Sequence, residues 1–219
     1  MVEYLVQNGV QVLLVSWRNP DARHRDWGFD TYARAILDAL DGVQRVTGAD
    51  RAVLYGACSG GIVSAMTAAH LATNGASNRL AGLTLVVTVL DQSRAGLGSA
   101  IVDRRTANAA AAVSARKGYL DGRTLAEVFA WVRPGDLVWN YWVNNYLLGK
   151  SPPAFDILFW NADVTRMPAR LHRDFLELAV DNALVTPGQA HLFGSPVDLS
   201  AVKTDAYVLA GIADHLCDW

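Results

Sequence analysis

The stretch "RAVLYGACSGGIVSAMTAAHL", Arg51 to Leu71, restricts the fold more than any other part of the chain. A short strand-like run ends at Gly56, and an Ala-rich helical pattern begins at Ser59. Between them lies a Gly-x-nucleophile-x-Gly turn made of Gly56, Ala57, Cys58, Ser59 and Gly60. A strand, a sharp turn and a helix in this order present a side chain at the end of a sheet, and that side chain is usually serine. Here it is cysteine. The glycines at 56 and 60 permit close backbone approach around a strained central residue. Cys58 then stands at a helix N-terminus, where partial positive charge suits an anionic nucleophile. The backbone N–H of Ser59 points into the same space as an oxyanion donor. The alternative is a structural cysteine in a glycine-rich turn, and the agreement of motif with context argues against it.

The flanking pattern predicts an α/β fold. "VQVLLVSW" (Val10 to Trp17) reads as a buried strand, followed by the polar loop "RNPDARHRDWG". A helix is expected from about Asp30 to Val46, with Ile36, Leu37, Leu40 and Val43 on one stripe and Gly48 as its stop. Next come the strand "RAVLYGA", a helix from Ser59 to Thr73, and the strand "AGLTLVVTVLD" from Ala81 to Asp91. Strands alternating with helices argue for a parallel sheet covered on both faces. From there to about residue 190 the chain reads as helices and aromatic loops broken by Pro134, Pro152, Pro153, Pro168 and Pro187. "TANAAAAVSARKG" is a good helix by propensity. "TDAYVLAGIADH" (Thr204 to His215) restores a strand with an acid past its end. The expected organisation is a core over 1–93, a mostly helical cap insertion over 94–203, and a return to the core over 204–219. Both ends read as truncated, so an internal fragment is expected.

Composition sets outer bounds. At 219 residues the chain fits one domain with an insertion, and 52% apolar residues suffice for a sizeable core. A net charge of −2 gives no reason to expect nucleic acid. No run of about 18 apolar residues suggests a transmembrane helix, and no signal peptide is evident. The two cysteines, Cys58 and Cys217, do not make a disulfide framework, which points to a reducing, cytoplasmic setting. The aromatic stretch "WVRPGDLVWNYWVNNYLLG" reads chiefly as core packing, with some side chains left for a pocket or an apolar interface.

A nucleophile of this kind needs a base and an orienting acid. Asp214, after the last strand, fits the acid; Asp91, after an earlier strand, competes, with a structural role favoured for it. His24, His70, His172 and His191 fall in the early loop, the helix after Cys58 and the cap, and read as structural or exposed. His215 follows Asp214 directly, so its ring should diverge from that carboxylate. The catalytic His is therefore expected to be absent from this chain. Metal-ligand spacings such as C-x-x-C are missing, so no metal site is expected. No G-x-G-x-x-G or Walker loop is present for a nucleotide cofactor.

Five segments carry a resemblance: "VSWRNPD" (Val15 to Asp21), "GACSGG" (Gly56 to Gly61), "FAWVRPGDLVWNYWVNNYLLG" (Phe129 to Gly149), "FDILFWNADVTRMP" (Phe155 to Pro168) and "AGIADH" (Ala210 to His215). In these the chain resembles the polyhydroxyalkanoate synthases of class I and II type. The resemblance implies an α/β-hydrolase fold and an acyltransferase that polymerises (R)-3-hydroxyacyl-CoA and releases CoA. Cys58 would hold the acyl chain as a thioester, and Asp214 would match the family's catalytic aspartate. The family's histidine lies on a later turn, and the strand bearing its other oxyanion donor lies upstream of Met1. Similar proteins usually carry proline where this chain has Asp218. The resemblance further implies no cofactor beyond the CoA thioester substrate, a homodimer, and a place at polyester granules in the cytoplasm. A cysteine-dependent thioesterase on the same scaffold and a non-catalytic synthase partner are the competing expectations, and the chain by itself is expected to be weak or inactive.

Overall fold

The structure, a computed structural model, describes residues 1–94, 103–132, 134–152, 163–212 and 214. The chain opens with the short helix α1 (Val2–Gln7) and reaches the long helix α2 (Phe29–Thr47) through a loop. Gly48 ends α2 in the left-handed region, at φ 72°, which glycine adopts without steric cost. Strand β1 (Ala52–Ala57), helix α3 (Ser59–Thr73) and strand β2 (Leu80–Val86) follow. The intervening layer holds helix α4 (Arg104–Lys117), strand β3 (Tyr119–Leu120) and helix α5 (Gly122–Val132). Two π-helical turns, Gly135–Trp139 and Trp142–Leu147, come next, and then strand β4 (Met167–Pro168) and helix α6 (Ala169–Val180). A small hairpin of β5 (His191–Leu192) and β6 (Ser195–Pro196) precedes the last strand, β7 (Ala206–Leu209).

The main sheet is parallel, in the order β1-β2-β7. Leu54 stands opposite Leu83 and Gly56 opposite Leu85. Leu83 and Leu85 pack with Ala65, Ala68 and Leu71 of α3 and Leu37 of α2. On its other side α3 gives Ile62, Val63 and Met66 to a cluster with Phe29, Ala33 and Ile36 of α2 and Leu171 and Leu178 of α6. Helix α3 is apolar all round because it is packed on every side, as a central helix must be. The opposite face of the sheet carries Val53, Tyr55, Tyr207 and Leu209, all exposed, with Tyr207 at 64%.

Three expectations are corrected, the first being a sheet covered on both faces: α2 and α3 both pack on the side of Leu83 and Leu85, and among the described residues the face of Val53, Tyr55 and Tyr207 is left exposed. Val10–Trp17 forms no strand: it has no regular secondary structure, and its apolar side chains are largely exposed, Leu14 at 79%. β-propensity acts through a paired ladder and a packed face, and among the described residues this segment has no neighbouring strand. The aromatic stretch does not fill the core either. Trp131 is 63% exposed, and Trp139, Trp142 and Tyr146 are exposed as well. Trp142 and Tyr146 stack on each other instead, with ring centroids 4.4 Å apart.

The helical layer is tied to the core by polar contacts. Asp174 of α6 accepts the Phe29 N–H at 3.2 Å and the Arg170 Nε–H at 2.6 Å. It caps α2 from a distance, where Gly28 at the helix start has no side chain to do so. Ser114 of α4, 1% exposed, meets His172 Nδ1 of α6 at 2.7 Å. Burial pushes the His172 imidazole below its ordinary value. The neutral ring is therefore favoured by folding, and its contribution is complete above the unfolded pKa of about 6.5. It is lost as pH falls below that value and levels off once the folded ring is protonated. Thermal melts from about pH 7.5 to 5 should show a falling Tm whose slope is reduced in His172→Asn. An unchanged slope in the variant would assign the effect to another group.

Candidate active site

The turn between β1 and α3 places Cys58 at φ 51° and ψ −123°, a left-handed conformation that an L-residue adopts only under constraint. Backbone bonds on both sides supply the constraint. The Cys58 N–H donates to Val86 O at the end of β2, at 2.9 Å. The Cys58 carbonyl accepts from Gly61 N at 2.9 Å and Ile62 N at 3.3 Å, starting α3. The thiol is free and exposed. Ser59, the first residue of α3, has no intrahelical acceptor for its N–H, so that donor is available beside Cys58.

The steric demand of the turn falls on Gly56 and Gly61. A Cβ at Gly56 would lie 2.6 Å from Ser64 Oγ, 2.7 Å from Gly61 Cα and 2.9 Å from Gly60 O. At Gly61 it would meet the side chain of Thr88, with Thr88 Cγ2 at 2.7 Å. At Gly60 it would meet nothing within 4 Å. Sequence reasoning missed Gly61, because the side chain that crowds it belongs to Thr88, outside the motif.

Three strand ends converge on this edge of the sheet. β7 pairs with β2 so that Leu209 stands opposite Val86, and Val87 N donates to Leu209 O at 2.8 Å. The chain leaving β7 turns at Gly211, whose carbonyl accepts the Asp214 N–H at 3.1 Å, and Asp214 is half-buried. Asp91, on the segment leaving β2, is already engaged. Its Oδ1 accepts from Ser93 Oγ at 2.6 Å, Asn182 Nδ2 at 2.8 Å and Ser93 N at 3.0 Å. The Ser93 hydroxyl, then Asn182, hold this carboxyl below the usual carboxylate range.

The described histidines have other work. His24 Nδ1 accepts the Asp21 N–H at 3.1 Å, and its ring packs on Trp27. His70, in the last turn of α3, lies edge-on to Phe193, with burial lowering its pKa. His172 pairs with Ser114, and His191 is exposed in β5. Among the described residues no histidine hydrogen-bonds Cys58. His215, like Cys217 and Asp218, lies outside the described residues. No described helix is long and apolar enough to cross a membrane.

The chain is 46% identical over 218 residues to poly(3-hydroxyalkanoate) polymerase 2 of Ectopseudomonas oleovorans, and 45% identical over 219 residues to polymerase 1 of the same organism. It is 36% identical over 226 residues to the poly(3-hydroxyalkanoate) polymerase subunit PhaC of Cupriavidus necator. Each alignment takes in 100% of this chain, which spans 39%, 39% and 38% of the three relatives' lengths. The family defined by the α/β-hydrolase fold matches residues 1–219. With its parallel sheet, its covering helices and a strained turn between β1 and α3, the chain belongs to the α/β-hydrolase fold family.

Proposed function

We propose that this chain carries the acyl-transfer centre of a polymerase that builds polyester from 3-hydroxyacyl-CoA, with the (R)-configured thioester as substrate. The reading rests chiefly on one observation: an exposed cysteine held at φ 51° between β1 and α3. It lies in a chain similar over its whole length to poly(3-hydroxyalkanoate) polymerases.

Cys58 Sγ attacks the thioester carbonyl carbon, and the oxyanion that forms is met by the Ser59 N–H. The bond to the CoA sulfur breaks, the cysteine proton ends on CoA, and free CoA thiol leaves. One thioester has replaced another, so the step is near thermoneutral. The hydroxyl of a further hydroxyacyl unit then attacks the Cys58 thioester. An ester bond forms, the Cys58 thiolate is restored, and the hydroxyl proton passes to a base. That base, a histidine oriented by Asp214, has no position among the described residues. No resident cofactor takes part. The helical layer limits water at the thioester, and the exposed Trp131, Trp139, Trp142 and Tyr146 favour contact with an apolar polyester and its granule surface. A homodimer belongs to the same reading.

The test is to mix the chain with 3-hydroxybutyryl-CoA, quench in acid and map the peptide containing Cys58 by mass. One hydroxyacyl group on Cys58 per CoA released is expected. CoA release that yields free hydroxy acid with no oligomeric ester would make the protein a hydrolase. Because the chain by itself is expected to be weak, the deciding failure is no adduct on Cys58 and no CoA release in a polymerase that carries this chain at the full length of its relatives; that result would overturn the reading.

A further inference from the structure

The segment after β2 is pinned at both ends, and one end is held by a side chain from the helical layer. At the near end, Val86 O accepts both the Cys58 N–H at 2.9 Å and the Thr88 hydroxyl at 3.1 Å. The Thr88 side chain also fills the space over Gly61. Between them Val87 takes φ 45°, an outlier for a β-branched residue. Such a conformation persists only where its surroundings over-determine it.

At the far end stands Asn182. Its Oδ1 accepts the Gln92 N–H at 2.7 Å, and its Nδ2 donates to Asp91 Oδ1 at 2.8 Å. Asn182 follows α6 in the left-handed region, φ 47°, where asparagine is tolerated after a helix end. The end of α6 therefore fixes the Asn182 backbone, and both ends of its amide are spent on the segment leaving β2.

We propose that Asn182 is a positioning residue for Cys58. It acts through Asp91 and Gln92 on the Val86–Thr88 backbone, which holds the Cys58 N–H and packs on the first turn of α3. The Val87 N–H stays bound to Leu209 O at 2.8 Å, so loss of the amide frees the far side of the segment: the strain at Val87 eases on that side, the Val86 carbonyl turns, and its bond to the Cys58 N–H weakens. The effect on acyl transfer rests on the function proposed above; the effect on the Cys58 backbone does not.

The test uses the full chain and three variants. Asn182→Gly keeps the left-handed backbone and removes both side-chain bonds. Asn182→Asp keeps the acceptor for Gln92 but sets a carboxylate against Asp91. Asp91→Asn combined with Asn182→Asp restores the pair with donor and acceptor exchanged. The readouts are hydrogen exchange at the Cys58 amide, iodoacetamide alkylation of the Cys58 peptide, and its acylation by 3-hydroxybutyryl-CoA. In Asn182→Gly and Asn182→Asp, exchange should quicken about tenfold and acylation slow about tenfold, with an altered alkylation rate. The double variant should recover toward the parent in all three. Exchange and alkylation unchanged in both single variants would overturn the proposal. So would a double variant as impaired as Asn182→Asp, which also decides the matter if Asn182→Gly does not fold. A parent chain that takes no acyl group would count against the proposed function alone, because exchange and alkylation still test the clamp.

Discussion

Replacing Cys58 with alanine should remove acyl transfer altogether, and replacing it with serine should separate the two halves of the reaction. In Cys58→Ala no atom remains to accept the acyl group, so CoA release should fall by at least about a thousandfold. Cys58→Ser retains an oxygen nucleophile on the same strained turn. Its acyl form is an oxoester, less activated than a thioester, so attack by the next hydroxyl loses driving force. In the polymerising enzyme, chain elongation should therefore suffer more than the first acylation. Stopped reactions that compare CoA released with ester length will show this. Equal losses in both steps would mean that the choice of sulfur has nothing to do with chain growth.

The largest effect on stability is expected at Gly56. This buried residue faces the first turn of α3, and two of the three atoms that a new Cβ would meet belong to backbone, Gly61 Cα at 2.7 Å and Gly60 O at 2.9 Å. Side chains can rotate away from such a contact, whereas a helix turn held by Cys58 cannot. Gly56→Ala must therefore push α3 off the sheet, at a cost of about 2–4 kcal/mol. For a domain of this size, that corresponds to a Tm lower by about 5–15 °C. Gly60→Ala is the control. Its Cβ would meet nothing, and alanine is the better helix former, so stability should change by less than about 0.5 kcal/mol, in either direction. Neither glycine has a positive φ, so equal losses in the two variants would show that the crowding at Gly56 does not set the cost.

What could be seen in the sequence was local. Phe29–Thr47 and its stop at Gly48 follow from an apolar stripe and a left-handed glycine, both contained within the helix. Ser59–Thr73 was readable from its Ala-rich run and not from a stripe, and the turn at Cys58 packs most of its requirements into the six residues from Gly56 to Gly61. The misses depend on distant partners. Val10–Trp17 has strand-like side chains, but a ladder needs a neighbour that composition does not reveal. Nothing in "GACSGG" says that the second glycine of the pair is the crowded one, because the crowding atom belongs to Thr88. The Asn182 amide reaches Asp91 from the far end of the helical layer, and no spacing rule links them. The aromatic stretch misled for a related reason: its residues are the types that fill cores, yet the end of α5 leaves Trp131 outward and the two π-helical turns leave Trp139 and Trp142 outward.

The order β1-β2-β7 also sets a sequence of events in time. β1, α3 and β2 are consecutive, so the thiol's turn can close from short-range contacts as soon as Val86 has been made. β7 must wait, because Leu83 finds Ala206 only after the whole helical layer has been synthesised and folded back. On a ribosome the turn at Cys58 is therefore displayed before β7 and Asp214 can reach the sheet. During that interval the young chain carries an exposed thiol without β7 beside it, open to stray electrophiles. If Cys58 and Asp214 act as proposed, the late arrival of β7 delays the meeting of thiol and carboxylate.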